Sequence, residues 1–140
     1  MAIDELTRIL VVADWTIPAE DVVAECRRRD EADHALFILA VPAWLHGLDW
    51  AGDPRAAVPC AQRQLEALAR LCVDAGLTVE IAGVGDPDPI SAITDALADH
   101  PATDVVLFVR PRHLPSHPLD LRHRAHRLTG LPVDQVQLAA

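Results

Sequence analysis

Residues 8–14 read Arg8-Ile9-Leu10-Val11-Val12-Ala13-Asp14, five apolar side chains in a row between two charged ones. A half-exposed strand would alternate. A run this continuous suits a central parallel strand covered by helices on both faces. Working outward, residues 35–41 (ALFILAV) and 105–109 (VVLFV) repeat the pattern. The intervening segments carry helical signals. Residues 18–29 have Glu20 and Asp21 in the first turn and Arg27, Arg28 and Arg29 in the last, matching the helix dipole. The three arginines read as a solvated helix end. A second helix begins at Pro54 or Pro59 and runs to Ala75, with Leu65, Leu68 and Cys72 on one face and Gly76 as its stop. Residues 77–83 alternate, Leu77, Val79 and Ile81 against Thr78, Glu80 and Ala82, as expected of a strand nearer a sheet edge. Asp88 caps a third helix with Pro89 at its first position and Ile90, Ile93 and Leu97 inward, ending before Pro101. Asp120 caps a fourth, with Leu121, Ala125 and Leu128 inward and Gly130 after it. Residues 133–138 alternate again, Val136 and Leu138 against Gln135 and Gln137.

The order is therefore βαβαβαβαβ over residues 1–140, a single α/β domain with a parallel sheet between two helix layers. Ligands of such sheets bind beyond the carboxyl ends of the strands, where the strand order reverses. The loops beginning at Asp14, Val41 and Arg110 thus hold the candidate site.

Composition narrows the functional classes. The chain has 140 residues, 51% hydrophobic and 24% charged, which is ordinary globular usage and excludes a disordered or fibrous protein. No apolar run approaches the roughly eighteen residues of a membrane span. Asp4 and Glu5 argue against a signal peptide, so a cytoplasmic location is expected. A net charge of −9 repels nucleic acid and anionic membrane, and neither is expected as a partner. The charge is uneven: residues 110–140 hold 2 acids against 5 Arg and four of the 7 His, whereas residues 1–109 hold 19 acids against 7 Arg. Cys26, Cys60 and Cys72 are odd in number, lack CxxC spacing and fall in apolar helical patterns, so they read as reduced core thiols.

Several pieces resemble the universal stress protein family. Ile9-Leu10-Val11-Val12-Ala13-Asp14 is similar to its first strand with a terminal Asp, and Gly85-Asp86-Pro87 ahead of Ile90 and Ile93 to its turn into the third helix. Asp104-Val105-Val106 and Leu131-Pro132-Val133 resemble the approaches to its fourth and fifth strands. The segment 85–90 and the ending 122–133 are most similar to a short actinobacterial branch. The resemblance implies strand order 3-2-1-4-5, with the switch between the first and fourth strands. It also implies a homodimer through paired fifth strands, here Val133, Val136 and Leu138, since an edge strand's backbone groups need a partner or protection.

One departure is informative. ATP-binding members follow the fourth strand with G-x2-G-x9-G-S/T, whose glycines let backbone N–H groups reach the phosphates. Here residues 110–120 read RPRHLPSHPLD. The stretch has no glycine, its three prolines remove three N–H donors, and Asp120 puts a carboxylate where a phosphate would sit. The usual way of holding ATP is absent.

The candidate ligand-binding residues are Asp14, Trp15, Val41, Trp44, Arg110, Arg112 and His113. Arg110 and Arg112 with His113 either replace the missing donors with charged ones for an anion, or neutralise Asp14 and neighbouring acids. Asp14 either meets a ribose or adenine, as in the family, or serves the first helix N-terminus. Trp15, Trp44 and Trp50 either stack on a ligand ring or fill the cleft. Gly83-Val84-Gly85 lacks a third glycine and reads as tight turning. His113, His117, His123 and His126 have suggestive spacing, but five arginines in the same stretch would repel a cation, so no metal is expected; they could form a pH-sensitive basic surface. No catalytic set stands out, and Ser91 lies outside any G-x-S-x-G elbow. The expectation is a non-catalytic dimeric binding or regulatory module with no cofactor. The alternative is a protein that binds ATP, AMP or a small anion through Arg110 and Arg112.

Overall fold

The structure is a computed structural model that describes residues 7–32, 34–45, 53, 55–109 and 120–137. Its elements run β1 (Thr7–Ala13), α1 (Ala19–Ala32), β2 (Ala35–Pro42), α2 (Val58–Asp74), β3 (Thr78–Gly85), α3 (Pro89–Asp99), β4 (Asp104–Val109), α4 (Asp120–Thr129) and β5 (Val133–Gln137). The strands form one parallel sheet in the order β3-β2-β1-β4-β5. The sequence expectation of a five-stranded parallel sheet, order 3-2-1-4-5, between four helices is what the chain adopts.

The register explains the continuous apolar runs. Leu10 of β1 stands beside Ile38 of β2 and Val105 of β4, and this row faces α3 and α4. Ile9, Val11 and Ala13 point the other way, joining Phe37, Leu39 and Phe108 beneath α1 and α2. Successive side chains alternate between faces, so a strand with helices on both sides must be apolar at every position. Each such Leu, Val or Phe contributes about 1.5–3 kcal/mol by leaving water.

Helix ends follow local chemistry. Asp88 caps α3 by accepting from the Ile90 N–H at 3.3 Å, and Pro89 sits in the first turn where its missing donor costs nothing. The open start of α2 resolves at Val58, and Gly76 after it adopts φ 80°, the left-handed conformation that reverses a helix end. Helix α1 runs three residues beyond Arg29. That arginine is no solvated end: it pairs with Glu25 at 2.8 Å and reaches Asp134 on β5 at 3.1 Å, tying the first helix to the last strand.

Two inward assignments fail at the sheet's margins. Ile81 on edge strand β3 is 45% exposed. The β2–β3 register slips between Leu39 and Ala40, skipping Ala82, and Gly83 takes φ 115° there, so the alternation is interrupted. Leu128 is 56% exposed, one turn past Leu121 and Ala125, because beyond β5 there is no further strand among the described residues for it to cover.

Candidate functional site

The switch between β1 and β4 lies where the sequence analysis places it, and Asp14 occupies it. Its N–H donates to the Phe108 carbonyl at 3.1 Å, extending the β1–β4 ladder one residue past β1. Its own carbonyl accepts from the Ile17 N–H at 3.1 Å, closing a tight turn into α1. The side chain is 1% exposed, and Oδ2 accepts the Thr16 hydroxyl at 2.6 Å. A carboxylate taken from water without partners costs several kcal/mol, and the hydroxyl two residues on meets part of that demand. Thr16 is the site residue that the sequence analysis missed. Its signal was present in the Asp-x-Thr spacing ahead of Pro18, where short polar side chains bond locally in turns.

Trp15 and Trp44 meet at this end of the sheet. The Trp15 indole N–H donates to the Trp44 carbonyl at 2.6 Å, joining the loops that follow β1 and β2. Trp15 packs on the α1–α2 side of the sheet and Trp44 on the α3–α4 side. The Gln64 side-chain amide donates to the Ile17 carbonyl, fixing the same turn to α2. Val41 is fully buried in the core between these loops, so its side chain meets only protein. Asp14, Trp15, Val41 and Trp44 are therefore brought to one end of the sheet. Arg110, Arg112, His113, His117, Trp50 and Leu138, the last expected at a dimer contact, lie outside the described residues. Val133 is buried beneath α4, and Val136 is half-buried on the α1 side.

A second concavity lies beside α3, which no reading of the sequence singled out. This groove of about 170 Å³ has small side chains on its floor, among them Ala82, Ala92 and Ala96, and Asp86, Asp95 and Asp99 at its rim. Gly85 forms part of its wall, where a Cβ would come 2.7 Å from the Ala92 Cβ. The glycines read as tight-turn residues thus serve helix approach at Gly85 and a register slip at Gly83.

At the C-terminal end of α3, where His100 also lines the groove, its Nδ1 lies 2.8 Å from Glu80 Oε2, and the Arg8 guanidinium binds the same oxygen at 3.0 Å. These two partners, His100 foremost, hold the Glu80 carboxyl below its ordinary value of 4.5 against the opposing effect of burial. Arg8 also donates to the Pro101 carbonyl at 2.6 Å, so the cluster locks the α3–β4 connection to the start of β1. Burial pushes the Cys26 thiol up to about 12 and the Cys72 thiol up to about 11, as expected of core cysteines. His126 places Nδ1 2.7 Å from the Leu131 carbonyl, a helix-terminus bond. Among the described residues no group of three or more His, Cys, Asp or Glu is arranged to hold a metal ion, and no helix is long and apolar enough to cross a membrane.

The sequence matches no family profile, and no curated protein matches it. Solved structures do. A crystal structure of a universal stress protein family protein from Burkholderia pseudomallei superposes with a TM-score of 0.62 at 14% identity, over 93% of this chain and 95% of that one. A universal stress protein family protein from Arabidopsis thaliana, with AMP bound, gives 0.60 at 16% identity, over 96% and 93%. This chain has the fold of those proteins over nearly its whole length.

Proposed function

We propose that this chain is a non-catalytic binding or regulatory module of the universal stress protein type, of the short branch without the glycine motif, which works as a homodimer and does not hold ATP in the manner of glycine-motif members. The observation that carries this reading is Asp14. The acid at the switch point is 1% exposed and already accepts the Thr16 hydroxyl, so its carboxylate is engaged by protein where a sugar hydroxyl would approach. The Trp15–Trp44 bond supports the same reading, since it draws two loops together over that end of the sheet. The glycine-free, proline-stiffened stretch 110–120 adds a chemical reason, as it offers few main-chain donors to a triphosphate. Dimerisation is assigned to β5, an edge strand with no second strand neighbour among the described residues.

Thermal denaturation with and without ATP, AMP and inorganic phosphate tests the module. The melting temperature stays flat at millimolar nucleotide. Light scattering tests the dimer: Val136→Asp, with circular dichroism to verify folding, halves the mass.

The AMP held by the Arabidopsis structure favours a second reading, an adenine-nucleotide or small-anion binder in which Arg110 and Arg112 grip the anion and Asp14 turns to the sugar. It requires a stabilisation of about 2.7 kcal/mol at a hundredfold excess over the dissociation constant. Replacing Arg110 and Arg112 with Ala would then abolish the shift.

A further inference from the structure

The two helices that share one face of the sheet carry opposite charges. On α3, Asp95 and Asp99 are exposed one turn apart, and Asp86 and Asp88 are exposed just ahead of the helix. On α4, Arg122, Arg124 and Arg127 are all exposed. Asp86 and Asp88 serve the turn and cap of α3, but none of Asp95, Asp99, Arg122, Arg124 or Arg127 makes an ion pair among the described residues, whereas Arg8, Arg28, Arg29 and Arg55 each do. Leu128 stands exposed among the arginines. Beside α3 lies the groove of about 170 Å³, with its alanine floor and carboxylate rim. That combination suits an arginine, whose methylene stem covers apolar surface while its guanidinium meets a carboxylate.

We propose that this face docks a second copy of the chain, the α4 arginines of each copy entering the groove beside α3 of the other. The charges select that occupant. A nucleic acid or anionic membrane attracted to α4 would also meet the carboxylates of α3 beside it, whereas a second copy presents acid to base and base to acid at once. Because α3 and α4 lie side by side, a two-fold axis in the plane of this face, running along the helices between them, sets α3 against α4 twice over. The contact is then self-complementary and isologous, so one partner copy occupies the whole face. Packing α3 on α3 would oppose like charges, so the charge pattern also fixes the pairing. This surface is separate from the β5 edge and does not depend on the assignment made there.

Sedimentation velocity on the full chain, in 20 mM and in 1 M NaCl, tests it with Asp95→Arg/Asp99→Arg, Arg124→Glu/Arg127→Glu and their equimolar mixture. The wild type associates at low salt and loses that association at 1 M, where the screening length falls to about 3 Å. Each variant alone, verified as folded by circular dichroism, associates about tenfold more weakly or less. The mixture recovers the wild-type association, because the arginines placed on α3 of the first variant meet the glutamates placed on α4 of the second, while the α4 arginines of the first meet the intact α3 acids of the second, a rescue that misfolding cannot produce. A wild type that is monomeric at low salt, variants that associate as the wild type does, or a mixture that fails to recover would each overturn the proposal. A mass that is the same at 20 mM and 1 M salt and in both reversals leaves only the β5 contact standing and this one refuted.

Discussion

The Thr16 hydroxyl donates a hydrogen bond to Asp14 Oδ2 at 2.6 Å, and the carboxylate it serves is almost wholly enclosed at the β1–β4 switch. The pair makes the end of β1 a satisfied turn rather than an open acid. Its removal should be felt in stability before anything else. Thr16→Val keeps the shape but deletes the donor, leaving Asp14 with fewer partners, and is expected to cost about 1–3 kcal/mol in urea denaturation. Thr16→Ser should restore most of it; equal losses for Val and Ser would show that the hydroxyl is not what matters.

Gly85 and Ala92 set how closely α3 lies on β3. A methyl group at Gly85 would sit 2.7 Å from the Ala92 Cβ, closer than such atoms approach, and both neighbours are held by strand and helix. Gly85→Ala is therefore expected to destabilise the fold by about 1–3 kcal/mol through overpacking. Adding Ala92→Gly relieves the clash while costing about 1 kcal/mol of helix propensity. The double variant should lose less than the sum of the singles, and strict additivity would count against a direct clash.

The three thiols should separate by position. Cys26 and Cys72 are buried with thiols raised to about 12 and about 11, so at pH 8 almost no thiolate is present and reagent has no access. Cys60 is only half-buried, at the first turn of α2. An aromatic disulfide reagent is expected to titrate Cys60 alone in the native protein and all three residues in guanidinium. Three reactive thiols in the native state would mean that the α1–α2 layer opens readily.

Glu80 links stability to acid. Its carboxyl is held below 4.5 by His100 and Arg8, so the ion cluster stabilises the fold above the unfolded-state value and loses that contribution as pH falls through the lower folded-state value. The side chain is 37% exposed, which limits the gain to about 1 kcal/mol or less after solvent screening. Glu80→Gln should be less stable than the wild type at pH 6, with the difference shrinking as pH falls below 4.5 and gone once it passes the lower folded-state value. Parallel stability curves across that range would remove Glu80 from the acid response.

The alternation of strands and helices and the two helix layers were legible in the chain, because burial on both faces leaves continuous apolar runs, and because caps such as Asp88 and stops such as Gly76 act within a few residues of themselves. The spatial order of the strands and the place of the switch came from the resemblance to the universal stress protein family. Asp14 was legible as a position but not as a partner. Which hydroxyl the carboxylate accepts from depends on the turn geometry that aims it: the Asp-x-Thr spacing carried the signal, and the folded turn shows the bond. The Trp15–Trp44 bond joins residues 29 apart, the Arg8–Glu80–His100 cluster spans three separate elements, and Arg29 meets Asp134 from 105 residues away. No local pattern encodes such meetings, since they arise when the sheet brings non-neighbouring strands and helices side by side. The exposure of Ile81 and Leu128 has the same origin: periodicity says which face of an element is apolar, and only the finished sheet decides where its edges leave that face without cover.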